Sequence, residues 1–142
     1  MILLNVDDLG LTAPESYDCV VWSYLVSHSL LLVRALKDDS GTNDEMLASD
    51  LFYLLFSNVR YFEGGFAWQG INFDLGTSEE CLQLMRLTNG SKALDIPDEA
   101  ILKYYHLIKF STPQGQIRVL ASDIRKIAHV PKDFFWLTNH RQ

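Results

Sequence analysis

Residues 51–76, LFYLLFSNVRYFEGGFAWQGINFDLG, read as a strand, a tight turn and a second strand. Gly64-Gly65 supplies two adjacent residues able to take the positive φ angles of a two-residue type I′ turn. That turn sets a register in which Phe62 faces Ala67, Arg60 faces Gln69, Asn58 faces Ile71, Phe56 faces Phe73 and Leu54 faces Leu75. Ile71, Phe73 and Leu75 alternate with Asn72 and Asp74, the pattern of a half-buried strand. Leu51 to Phe56 are apolar without a break, which predicts a central strand covered on both sides. On the other face Tyr61 pairs with Trp68 near the tip, where Phe66 also sits, so the tip is expected to present aromatic rings to solvent.

Upstream, residues 17–37 (YDCVVWSYLVSHSLLLVRALK) are apolar almost throughout. The first half is β-branched and aromatic, which favours strand. The second half contains good helix formers, so two strands, one long bent strand and a partly helical segment all stay open. Simple alternation places Val20, Trp22, Tyr24 and Val26 on one face and Val21 and Leu25 on the other. Residues 38–50 (DDSGTNDEMLASD) read as a solvated loop with five acids whose spacing does not fit an EF-hand.

Downstream, Thr77 and Glu80 fit a capping box opening a helix over about 77–89, with Cys81, Leu82, Leu84, Met85 and Leu87 as its apolar stripe and Asn89-Gly90 as its stop. Residues 91–100 form a connection through Pro97. A second hairpin is expected over 101–122, turning at Thr112-Pro113-Gln114-Gly115. Ser122 then caps a short C-terminal helix, DIRKIAHV, ending before Pro131. The expectation is an α+β single globular domain over 1–142. Its mainly antiparallel sheet has two hairpins plus one or two further strands, with one well-defined helix and one short C-terminal helix.

Composition agrees with a globular chain: 48% of the 142 residues are apolar and 21% charged. No apolar run approaches the roughly 18–20 residues that span a bilayer. The opening MILLNVDDLG has no cationic stretch and reaches Asp7 and Asp8 at once, so a cytoplasmic protein is expected. The net charge of −6 is unevenly spread: residues 1–50 carry nine acids against two bases, residues 51–99 seven against three, and residues 100–142 two against seven. An acidic chain is a poor nucleic-acid binder, and the basic last third is expected to pair with the acidic first third. Cys19 and Cys81 have no metal-type spacing and read as reduced, buried thiols, with a disulfide left open.

No motif for catalysis, cofactor or metal binding is present. His106, on a face with Tyr104, Ile108 and Phe110, reads as a partly buried structural ring, and His129 as a helix C-terminal cation. Glu63 and Asp74 are too far apart in the register above for acid–base chemistry. Two aromatic groups remain: Tyr61, Phe66 and Trp68 at the tip, and Phe134, Phe135 and Trp136 in the tail. The residues point first to a small soluble non-catalytic interaction domain without cofactor, binding a protein partner or itself. The alternative is a small-ligand-binding protein or enzyme, with a pocket on a curved antiparallel sheet lined by Arg60, Trp68, Tyr105 and His106.

Overall fold

Residues 17–37 resolve into two antiparallel strands, β1 (Tyr17–Leu25) and β2 (Leu30–Lys37), joined through a short turn in which Ser29 takes φ 52°. Tertiary pairing overrides the helix propensity of the second half. A bulge interrupts their ladder: Val21 pairs with Val33 and Ser23 with Leu32, leaving Trp22 as the extra residue. The bulge shifts every later side chain by one face. Tyr24, expected beside Trp22, therefore lies opposite Leu31 on the inner side, while Trp22 stacks outside with Arg34 and Tyr53.

The remaining elements are β3 (Leu51–Ser57), β4 (Tyr61–Glu63), β5 (Ala67–Gln69), β6 (Phe73–Leu75), α1 (Ser78–Thr88), α2 (Asp98–Tyr104), β7 (His106–Thr112), β8 (Gly115–Ala121) and β9 (Asp123–Ile127). This computed structural model describes residues 9–11, 13–37, 51–90 and 95–132. The acidic stretch 38–50 and the aromatic tail with Phe134, Phe135 and Trp136 lie outside the described residues. The fold is α+β with two antiparallel sheets, β5-β1-β2-β3-β9 and β4-β8-β7-β6.

The two sheets face each other across a core of Cys19, Val33, Ala35, Phe52, Leu54 and Phe56 from the first and Phe73, Ile108, Phe110, Ile117, Val119 and Ala121 from the second. Leu107 and Leu120, on the other face of the second sheet, pack against Cys81, Leu84 and Met85 of α1 and Ile101 of α2. The layers are thus sheet, sheet, helices. β3 is an interior strand as expected, but only Phe52, Leu54 and Phe56 are fully buried; Leu51, Tyr53 and Leu55 are half-covered.

The hairpin expected at Gly64-Gly65 does not form. β4 pairs with β8, β5 with β1 and β6 with β7, so none of the anticipated partners meet. A type I′ turn needs positive φ at both central residues, and only Gly64, at φ 142°, has it. Between Ser57 and Phe73 the chain instead passes three times from one sheet to the other. Each crossing carries one positive-φ residue: Asn58 (51°), Gly64 (142°) and Gly70 (103°).

Two further expectations are corrected. Residues 101–104 belong to α2 rather than to a strand; Pro97 followed by Asp98 and Glu99 is a helix-start signal, with acids at the positive end of the dipole. The second hairpin is therefore β7–β8, closed by the Thr112–Gly115 pair at the expected turn. Residues 123–127 form β9, not a helix, because the open edge of β3 satisfies their backbone more fully than one isolated helical turn could. His129 is exposed and caps no helix.

α1 forms as expected. Thr77 Oγ1 accepts from Glu80 N at 3.1 Å, and Thr77 N donates to Glu80 Oε1 at 3.0 Å. Of its stripe, Cys81, Leu84 and Met85 are buried, whereas Leu87 faces solvent. Thr77→Ala should lower stability by about 1 kcal/mol, read as a reduced urea midpoint at unchanged slope.

Candidate functional site

The crossings leave an opening at one end of the sandwich. Asn58 turns the chain out of β3, Val59 N bonds to Ser29 O at 2.9 Å, and Arg60 N bonds to Leu120 O at 2.7 Å. The next crossing is tied to the first sheet by Val21 N donating to Phe66 O at 2.7 Å. Between these two pinned segments lies a cleft of ≈ 380 Å³ lined by Val21, Tyr24, Leu31, Val59, Arg60, Tyr61, Phe62 and Phe66. Its walls are mostly apolar, and Tyr24 reaches them only because of the bulge at Trp22.

Phe66 stands at the lip and is 83% exposed, although its backbone is fixed. Trp68 does not join it. On β5 the alternation turns Ala67 and Gln69 outward and Trp68 inward, leaving that ring 3% exposed, 6.5 Å from Phe62 and 5.6 Å from Phe110. Trp68 is core, contrary to the expectation of an exposed tip. Tyr61 lines the cleft, and its hydroxyl donates to Glu63 Oε1 at 2.7 Å. Glu63 in turn accepts from Arg118 Nε at 3.1 Å and Nη2 at 2.5 Å. The Arg118 and Tyr61 bonds hold the Glu63 carboxyl below its ordinary range, while the bond to Glu63 raises the Tyr61 phenol. This trio is internally satisfied.

Arg60 is exposed at the mouth. Its Nε donates to Tyr105 Oη at 3.1 Å, and its guanidinium carbon lies 5.8 Å from the Tyr105 ring centroid. Four ion pairs join the described residues: Arg86–Asp98, Lys109–Glu80, Arg118–Glu63 and Arg125–Asp123. None includes Arg60. These pairs use acids from residue 63 onward; seven of the nine acids of the first third, to which the basic last third was expected to pair, lie outside the described residues.

His106 is half-buried and lies elsewhere. It lines a smaller hollow of ≈ 190 Å³ with Gly76, Thr77, Cys81 and Tyr105 at the start of α1. The four side chains expected around one enzyme or ligand pocket are therefore split. Arg60 faces the cleft, Trp68 is core, and Tyr105 and His106 line the second hollow.

Both cysteines are free. Cys19 Sγ lies 3.8 Å from Gly70 O, and burial pushes its thiol up to about 12, with Asp18 adding to the shift. Cys81 Sγ lies 3.8 Å from Tyr105 O and is also raised by burial. A raised thiol is the reverse of what a nucleophile needs. Among the described residues no group of three or more His, Cys, Asp or Glu could hold a metal, and no helix is long and apolar enough to cross a membrane.

Sequence reasoning found Arg60, Tyr61 and Phe66 but missed Val59 and Phe62 beside them, and Val21, Tyr24 and Leu31, which come from other segments. Asn58 was the available signal, since Asn tolerates the left-handed region and so marks a bend where a continuous strand was read. Neither a protein-family model, nor a curated protein, nor a solved structure matches the chain.

Proposed function

We propose that the protein is a non-catalytic binding domain that holds a segment of another protein in the cleft beside Phe66. The supporting observation is Phe66 itself, a phenylalanine held on a fixed backbone at the lip of an apolar cleft and left 83% exposed. Tyr24, another residue lining the cleft, is also exposed. Contiguous apolar surface of this kind marks protein contact sites, and Tyr and Arg at its rim are the residue types enriched where binding energy concentrates. Pinned backbone on both sides means little ordering cost on binding.

The test is selection of a displayed random-peptide library on the full chain. Selected peptides should bind the Phe66→Ser variant at least about tenfold more weakly, roughly 1.4 kcal/mol. The folding stability of that variant should stay within about 0.5 kcal/mol of the parent, because the ring is already in water. A library that yields no binders, or binders indifferent to Phe66→Ser, overturns the reading. So does self-association in sedimentation that Phe66→Ser abolishes, because the cleft would then belong to a second copy.

A further inference from the structure

We infer that the segment accepted by this cleft carries one carboxylate next to its apolar anchor, and that Arg60 receives it. This rests on the binding reading above and adds the chemistry of the partner. Val21, Leu31, Val59 and Phe62 give the anchor an apolar seat. The polar groups at the mouth decide what may lie beside it. The Tyr61 hydroxyl is committed to Glu63, and Glu63 to Arg118. Arg86, Arg118, Arg125 and Lys109 each have a carboxylate partner. Among the described residues, Arg60 has only the neutral hydroxyl and ring face of Tyr105.

That contact orients the base without neutralising it. A guanidinium has five N–H donors, and the bond from Nε uses one. The terminal nitrogens keep the forked geometry that matches the two oxygens of a carboxylate. Tyr105 restrains the side chain, and the Arg60 N to Leu120 O bond at 2.7 Å restrains its backbone. Less rotamer freedom is then lost on binding than from a free surface arginine.

The charge of the whole chain narrows the partner further. At −6 the protein repels a run of acids approaching from solution. Screening over roughly 8 Å at physiological salt confines the Arg60 attraction to its immediate surroundings. One acid beside the anchor fits both conditions, whereas an acidic tract does not.

The experiment uses the strongest peptide from the display selection and its synthetic relatives. Replacing the Asp or Glu beside the anchor with its amide should weaken binding to the parent chain by about three- to tenfold. The same change should make no difference on Arg60→Gln, and Arg60→Lys should restore only part of the preference. Thermal unfolding confirms that both variants are folded. Acid and amide peptides binding the parent equally would overturn the carboxylate inference while leaving the Phe66 reading intact. A selection dominated by acidic tracts would also overturn it. Loss of all binding specificity for the apolar anchor would remove both.

Discussion

Phe110→Ala should destabilise the protein by about 3–5 kcal/mol, a large part of the roughly 5–15 kcal/mol that holds a domain folded. The ring is fully buried in β7 and touches aromatic neighbours that reach it from both sheets: Trp68 with centroids 5.6 Å apart, Phe73 at 5.8 Å and Phe56 edge-on at 6.4 Å. Phe56 and Trp68 sit on strands of the first sheet and Phe73 on the second. Truncation therefore opens a void bounded by rigid rings on several sides, where collapse is difficult. A chemical-denaturation titration at constant slope measures the loss. A value below about 1.5 kcal/mol would mean that the rings close over the space, and that the sheets are not held apart by this cluster.

Gly64→Ala should be the most damaging change on the surface of the fold. Two effects add. A Cβ at this position would lie 2.4 Å from Ile117 Cδ1 and 3.2 Å from Cγ2. The backbone also sits at φ 142°, where a side chain is strained whatever the space. Strain of this kind costs about 1–3 kcal/mol and overpacking about 1–3 kcal/mol, so a total of about 2–6 kcal/mol is expected. Ile117→Val removes the nearest methyl, so Gly64→Ala should cost less in that background, the remainder being backbone strain. Gly65→Ala is the control: its nearest neighbour would be Ala67 O at 3.8 Å, and the change should stay within about 0.5 kcal/mol. Equal costs at both glycines would show that Gly64 is an ordinary turn residue.

The same pair of glycines shows why the sequence was legible in some places and not in others. α1 was readable because its capping box, stripe and stop are all local, and the β7–β8 turn because four consecutive residues encode it. Gly64-Gly65 encoded a bend but not its destination. What decides between a hairpin and a crossing is whether β8 and β1 offer better edges than the two arms offer each other, and those edges lie far along the chain. Residues 123–127 failed for the same reason: Ile124 and Ile127 suit a short helix locally, but the edge of β3 claims them. Tyr24 was misplaced by the bulge at Trp22, which no composition marks. Three of the eight residues that line the cleft were thus visible as Arg60, Tyr61 and Phe66, and Val21, Tyr24 and Leu31 join them only because distant strands are brought beside that segment.

The pairing of β9 with β3 has a consequence for how the protein is made. Synthesis runs from one end, and about 65 residues separate the end of β3 from the start of β9. At roughly 5–20 residues per second, the ribosome needs about 3–13 s to deliver them. During that interval the second sheet and both helices emerge while the edge of β3 still lacks its final neighbour. A nascent chain in that state offers an unpaired strand edge to other polypeptides in the cell. Translation speed through this interval, and the chaperones that meet the chain at the tunnel exit, therefore bear on yield.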